Sequence, residues 1–330
     1  MTKKQQLQAM KLSIIIPLYN KEKYIERCLY SLLNQGLSPN EYEIIIVDDG
    51  SKDSGVAAVN TYAKKNGIVN IKLIQQINQG PSAARNNGLL EAIGDYIYFL
   101  DADDVLLKKA LGVLISVANE YDLDILEFDT KEIEEGKLTD LPDISSIDMN
   151  GGSISVMSGT TFISQHGFRN QAWRYLIKRK YLLNTGILFD EDMRAYEDLI
   201  FTARVFLLSN KTSKLNIDAH RYVKVAESIV TTKNPKKNLE FILCMVKAVQ
   251  ELDYLIKKLN KSQENNSNIA HKLKNKQQIV VYALLVRAFK YRIQIKELKS
   301  ILNKLEILEA YPINPKLRGI GTGNRFHSKL

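Results

Sequence analysis

Short β-branched runs separated by helical stretches recur from Leu12 to Phe128, and this alternation confines the front of the chain to one kind of architecture. Leu12-Ser-Ile-Ile-Ile16 reads as a strand ended by Pro17, since proline cannot donate to a central ladder. Glu22–Gln35 follows with helical spacing (Ile25, Leu29, Leu32, Leu33) and a Gly36 stop. The same rhythm predicts strands over 42–47, 71–75, 96–100 and 123–128, with helices over 54–66, 81–93 and 106–120 between them. The fold class this implies is α/β, a doubly wound, mostly parallel sheet flanked by helices.

Beyond Phe128 the rhythm changes. Residues 130–157 are acidic, contain Gly and Ser and lack a clear period, which suggests an excursion that returns the chain to the site. Phe162–Asn184 reads as helical and holds Trp173 and the basic Lys178-Arg-Lys180. A helix starting near Glu197 and a strand over Ala219–Val225 complete this part. From Pro235 only helical periodicity remains: Leu239/Ile242/Leu243/Val246, Leu252/Leu255/Ile256/Leu259, then segments over 271–291 and 293–309 after a polar linker at 261–268. The expected organisation is an N-terminal extension (1–10), an α/β domain (11–230) and a C-terminal all-α extension (235–330). No internal repeat is visible.

The 330 residues, 45% hydrophobic and 25% charged, match an ordinary globular protein. The net charge of +9 is concentrated: Pro235–Leu330 holds 19 Lys/Arg against 7 Asp/Glu, and the remainder is slightly acidic. A basic helical tail suits an anionic partner. Two readings of it stand, a peripheral contact with an anionic membrane or packing on the α/β domain or a second subunit. No helix-turn-helix or zinc module supports nucleic acid. Cys28 and Cys244 lie far apart in helical patterns and read as free buried thiols, which fits a reducing cytoplasm. Met1–Lys11 has lysines but no apolar core, so a signal peptide is not expected, and no apolar run reaches membrane-spanning length.

Two acidic tips carry the chemistry. Asp101-Ala102-Asp103 follows the apolar run Tyr96–Leu100, and Asp48-Asp49 closes Tyr42–Val47. Ligands of open α/β sheets bind at the carboxyl ends of strands. Two such tips on one edge describe a site for a nucleotide diphosphate and a divalent cation. Arg85 opens a helix, where a guanidinium and a helix N-terminus suit a phosphate, although a surface ion pair is the plainer reading. Asp49-Gly50-Ser51 is also an ordinary turn, and Glu197-Asp198 also suits a helix dipole. Trp173 serves equally as a sugar platform or a core residue. His166, His271 and His327 show no ligand spacing.

The ordered set Ile14-Ile-Ile-Pro17-Leu-Tyr19-Asn20, Val47-Asp48-Asp49-Gly50-Ser51, Gly80-Pro-Ser-Ala-Ala-Arg85-Asn86-Asn-Gly88, Asp101-Ala-Asp103-Asp104 and Tyr196-Glu197-Asp198 closely resembles the inverting family 2 glycosyltransferases of GT-A fold. The resemblance covers about residues 11–230. It implies a nucleotide-binding part (11–129) and an acceptor and catalytic part (130–230). It implies that Pro17 and Tyr19 lie along the nucleotide base, that Asp49 reads it with Ser51 beside it, and that Arg85 meets phosphate. Asp101 would face the ribose and metal, and Asp103 would ligate Mn²⁺ or Mg²⁺. Asp198 would be the general base, positioned by Glu197. His220 is either a further metal contact or a packed structural histidine, and Asp48 and Asp104 are expected to be structural, Asp104 as a helix cap.

The expected activity is a metal-dependent hexosyl- or N-acetylhexosaminyl-transfer from a nucleotide-sugar, UDP favoured, to a glycan or lipid-linked acceptor in surface polysaccharide synthesis. The setting is the cytoplasm or the inner face of the plasma membrane. Two alternatives share the fold: a non-catalytic nucleotide-sugar-binding subunit and a sugar nucleotidyltransferase. The latter should carry a Gly-rich triphosphate loop and lysine after the first strand, where this chain has Pro17-Leu-Tyr-Asn20.

Overall fold

A computed structural model describes residues 10–138, 141–144, 154–225, 234–261 and 267–313. Most of the N-terminal extension, the centre of the 130–157 excursion, part of the 261–268 linker and the last residues with His327 lie outside them. The described chain divides into two compact units. The first holds residues up to Phe162, Gln171–Glu191 and Phe201 through the last strand; the second holds Ile163–Asn170, Asp192–Ile200 and the C-terminal helices.

The first unit is built on an eight-stranded sheet of order β3-β2-β1-β4-β7-β6-β8-β5. Strands β1 (Leu12–Leu18), β2 (Tyr42–Asp48), β3 (Ile71–Gln75) and β4 (Tyr96–Phe99) are parallel, with Ile14 level with Ile44 and Tyr98. Strand β7 (Tyr175–Lys178) runs antiparallel between β4 and β6 (Ile125–Glu134). Beyond β6, β8 (Thr212–Lys224) pairs in parallel and β5 (Val105–Leu106) closes the edge antiparallel to it. The sheet is mixed and mostly parallel, as the strand–helix rhythm predicts.

Helices α1 (Glu22–Ser31), α2 (Gly55–Asn66), α3 (Pro81–Glu91) and α4 (Ala110–Glu120) join these strands. Ile14, Ile16, Ile44, Ile46 and Tyr98 form one buried cluster with Ile25 and Leu29 of α1 and Leu111 and Leu114 of α4. That pattern follows the period-2 alternation of a strand and the 3.6-residue period of a helix. On β4, Phe99 meets Phe189 and Phe201 edge-on at 5.1 and 5.8 Å, and those two rings stack at 3.9 Å. Phe201 belongs to α7 (Glu197–Leu208), which follows α5 (Gly159–His166) and α6 (Arg179–Thr185) in the chain.

Several boundaries depart from the sequence reading. Pro17 lies inside β1, level with Val47. Its missing N–H costs nothing there, because Ile15 O accepts from Leu100 N and the β4 ladder ends at the Ile15–Phe99 level. Phe162–Asn184 is not one helix: α5, a 3-10 turn at Ala172–Arg174, β7 and α6 share it. The strand Tyr-Leu-Ile-Lys is buried along most of its length, so it lacks the alternation that separates a short strand from a helical run. Likewise β5 takes Leu106, and α4 starts only at Ala110. Strand β6 continues to Glu134 because β8 pairs with it, through a bulge at Asp129.

In the second unit, α8 (Pro235–Lys261) and α9 (Ser267–Lys290) pack with α10 (Ile295–Ile307). Ile242, Val249 and Leu252 of α8, Leu273, Val281 and Leu284 of α9 and Ile301 and Leu305 of α10 are buried. Gln277 Nε2 donates to Val249 O at 3.0 Å, and Gln278 Nε2 to Ala310 O at 2.8 Å. Among the described residues no helix is long and apolar enough to cross a membrane. Cys28 is buried and Cys244 half-buried, both free.

The turn into β4 fixes the edge opposite the acidic tips. Gly94 N donates to Ser13 Oγ at 2.9 Å, and a Cβ on Gly94 would stand 2.5 Å from backbone atoms of Leu12 and Ser13. Gly136 has open space around the same position. Gly94→Ala should therefore destabilise by about 1–3 kcal/mol or more, while Gly136→Ala should stay within about 0.5 kcal/mol of the parent. Urea unfolding of the two variants checks the contrast.

Candidate active site

Four parallel strands end on one edge, so the segments after β1, β2, β3 and β4 gather there. Tyr19 is 42% exposed, its ring presented to solvent after the half-buried Pro17. Asn20, in a left-handed conformation (φ 52°), ties the first two segments together. Its N–H donates to Ser51 Oγ at 3.0 Å, and its Oδ1 accepts from Lys52 N at 2.8 Å. Asp48 turns inward and accepts from Ser51 N at 3.1 Å.

Asp49 is buried and organises the segment after β3. Its carboxylate accepts from Gln76 Nε2 (2.8 Å), Asn78 Nδ2 (3.0 Å), Gln79 N (2.7 Å) and Gly80 N (2.9 Å). Four donors occupy the lone-pair positions of one carboxylate. Gly80 (φ 96°) then admits the chain to α3, whose first residue is Pro81. Asn86 of α3 clamps a later segment: its Oδ1 accepts from Phe189 N, and its Nδ2 donates to Phe189 O and Glu191 Oε1, all at 2.9 Å. That grip sets Phe189 5.3 Å from the Arg85 guanidinium.

The fork after β4 is held by three cations. Arg85, 5% exposed, donates from Nη2 to Asp101 Oδ1 at 3.0 Å. Lys21, the residue before α1, pairs with Asp103 Oδ2. Arg27 Nη2 donates to Asp103 O at 2.8 Å, fixing the backbone of the turn. The side chains of Asp101 and Asp103 keep 30% and 19% exposure, so both remain reachable from solvent.

Behind the fork lies a buried polar layer. Asp104 is fully buried and caps no helix: its Oδ1 accepts from Val223 N at 2.9 Å, tying the turn to β8. The expectation of a helix cap fails because the chain enters β5 first. Asp104 Oδ2 faces His220 Nε2 at 3.3 Å, and that ring stacks on Trp173 at 4.6 Å. Trp173 also lies against Tyr222 at 5.7 Å and is 5% exposed, which makes it a core residue of this layer. Burial, followed by the charge of Asp103, pushes the Asp104 carboxyl well above its ordinary range. Burial lowers His220 to about 3, so the ring is neutral at neutral pH.

Glu197 and Asp198 open α7 and cluster with the second unit. Tyr196, just before them, has a left-handed backbone (φ 64°). Its ring meets Phe241 of α8 edge-on at 5.8 Å, and the Arg287 guanidinium of α9 covers Phe241 at 3.8 Å. The C-terminal helices therefore hold the segment that presents this acidic pair.

No three His, Cys, Asp or Glu side chains converge as a ready-made metal cluster among the described residues. The donor set nevertheless suits a hard divalent ion that recruits substrate phosphates, because such ions need only one or two carboxylates from the protein. Asp101 and Asp103 are two carboxylates on one turn, both partly exposed. Sequence reasoning missed Lys21, Gln76, Asn78 and Arg27. The only signal for Lys21 was a cation directly after Pro-Leu-Tyr-Asn.

The mixed, mostly parallel sheet flanked by helices is that of the GT-A glycosyltransferases, which are its structural neighbours. Residues 13–177 match the Glycosyl transferase family 2 profile, and the chain belongs to that family. It is 33% identical over 214 residues to the uncharacterized glycosyltransferase EpsJ of Bacillus subtilis, covering 64% of this chain and 60% of EpsJ. It is 29% identical over 226 residues to the poly(ribitol-phosphate) beta-N-acetylglucosaminyltransferase TarS of Staphylococcus aureus, covering 66% of this chain and 36% of TarS. The crystal structure of TarS 1-349 in complex with UDP superposes with TM-score 0.68 at 23% identity, covering 92% of this chain and 81% of that one. The mannosyltransferase PcManGT of Pyrobaculum calidifontis, solved with GDP-Man and Mn²⁺, superposes with TM-score 0.56 at 13% identity, covering 92% and 82%.

Asp104 gives a direct test of the buried layer. Asp104→Ala leaves Val223 N–H without its acceptor and should cost about 1–3 kcal/mol, whereas Asp104→Asn keeps that acceptor and should cost less. A raised folded pKa means the native state holds its proton more tightly than the unfolded chain above the ordinary 3.8. Wild-type stability from this group therefore falls as pH rises above that value, and the Asn variant should gain relative to wild type over the same range. Urea titrations at several pH values read both effects.

Proposed function

We propose that this chain transfers a sugar, with inversion, from a UDP-sugar to a glycan or lipid-linked acceptor in surface polysaccharide synthesis. The observation that carries the reading is the fork of Asp101 and Asp103 on the carboxyl edge, each carboxylate matched by a cation. Family membership and the UDP complex of TarS support it. Tyr19 offers an aromatic face for the base, with Pro17 stiffening its segment. Asp49 and Ser51 shape the base side of the pocket, Asp49 by holding the β3 segment with Asn78.

Asp101 and Asp103 are the residues we assign to Mn²⁺ or Mg²⁺, with His220 behind them. A divalent ion held there supplies Lewis-acid neutralisation of the departing diphosphate. Arg85 and Lys21 balance these carboxylates, and the charge of each suits phosphate oxygens of the donor. Asp198 takes the proton of the acceptor hydroxyl, and Glu197 positions it. Phe241 and Arg287 act through Tyr196 as positioning residues for that pair. The natural setting for such a reaction is the cytoplasmic side of the membrane that carries a lipid-linked acceptor.

Asp198→Asn should lower turnover by about 10²–10⁴-fold while UDP affinity, read by calorimetry with Mn²⁺, stays within error. Equal loss of binding and turnover would remove Asp198 from its role. Phe241→Ala should lower kcat by about tenfold, equivalent to about 1.4 kcal/mol in the barrier, with UDP affinity again unchanged. Nucleoside diphosphate release across a panel of UDP-, GDP- and TDP-sugars, with and without EDTA, identifies the donor and tests the metal.

A further inference from the structure

The corner between α9 and α10 combines exposed apolar side chains with a run of cations. Phe289 and Ile295 are each 72% exposed, two large apolar side chains at one turn. They flank the short turn that joins α9 to α10. Lys290, Arg292, Lys296 and Lys299 lie beside them in the chain and are all exposed. Glu297, half-buried, is the one acidic residue between Arg287 and Leu305. Tyr291, within 5.3 Å of Lys290 Nζ, adds an amphipathic ring to the same corner.

The inward side of this corner is already satisfied. Arg287 covers Phe241, Ala288 and Ile301 are buried, and Ile293 N donates to Ala288 O at 3.1 Å. Arg292 sits in a left-handed turn (φ 51°), which reverses the chain between the helices. Phe289 and Ile295 are therefore not gaps in a loosely packed core; they project from a finished turn.

We infer that this corner docks the protein on an anionic phospholipid surface. Two bulky apolar side chains on a turn rich in exposed cations match a bilayer interface, where lysine and arginine meet headgroup phosphates and apolar tips enter the acyl boundary. Charge complementarity argues for lipid over a second copy of this chain, since a corner with four exposed cations repels itself. A shallow corner gives reversible, salt-sensitive attachment, because juxtamembrane basic residues act within a Debye length of the surface. The inference rests on the transferase reading for its purpose, which is to hold the enzyme beside a lipid-linked acceptor. Its physical content does not depend on that reading.

The test is co-sedimentation of the full chain with phosphatidylcholine vesicles, with and without phosphatidylglycerol. The protein should pellet only with the anionic vesicles and be released by high salt. Lys290→Glu/Arg292→Glu/Lys296→Glu should leave it in the supernatant, and Phe289→Ser/Ile295→Ser should weaken binding several-fold, with melting temperatures close to wild type. Wild-type protein that ignores anionic vesicles overturns the inference, as do variants that pellet like wild type. Apolar replacement that abolishes only a concentration-dependent dimer in light scattering overturns it too, assigning the corner to a second copy. A UDP titration on the same samples separates the two proposals: UDP binding without vesicle binding sinks only the docking, and the converse sinks only the transferase.

Discussion

Parallel pairing of β1 with β2 on one side and β4 on the other is the constraint from which the site follows. Parallel strands must all finish on the same edge, so the residues after Leu18, Asp48 and Phe99 meet without long connections. Ile14, Ile15 and Ile16 are completely buried, which makes the register costly to slip: a one-residue shift would exchange the two faces of the sheet. The same shift would carry Asp101 and Asp103 away from the cations that balance them. Core packing and site geometry are thus one requirement expressed at two levels.

Charge balance explains how the fold tolerates so acidic an edge. Arg85 neutralises Asp101 from a helix start that is itself buried, and Lys21 neutralises Asp103 from the residue before α1. Below them Asp104 cannot use the same device, because no cation pairs with it among the described residues and it is sealed from water. Burial raises its pKa instead, and the histidine that faces it is neutral. Adjacent carboxylates on one turn therefore meet opposite surroundings, one partly exposed and paired with a lysine, the other sealed from water. The exposed pair stays available to a cationic ligand, and the buried one anchors the turn to β8.

Much of this edge was legible in the sequence because its signals are local. A β-branched run, a glycine stop and an acidic tip each depend on a few neighbouring residues, and Ile71–Gln75 was located to the residue. What was missed depends on long-range pairing. Strand β7 exists because β4 and β6 flank it, and nothing within Tyr175–Lys178 distinguishes it from a turn of helix. Asp104 was read as a cap because its partner, Val223, lies 119 residues away. The Lys21–Asp103 pair spans 82 residues and is equally invisible to local rules.

The C-terminal helices looked from composition like a separate basic appendage. Their packing gives them two tasks on neighbouring residues of one helix. Arg287 points inward onto Phe241, and through that ring steadies Tyr196, whose left-handed backbone starts the turn into Glu197 and Asp198. Two residues later Phe289 points outward among lysines. A load applied to the outer surface of this turn, such as contact with a charged bilayer, bears on the same helix end that carries Arg287. The inward contact of Arg287 with Phe241 and the outward charge of Lys290 thus share the last turn of α9.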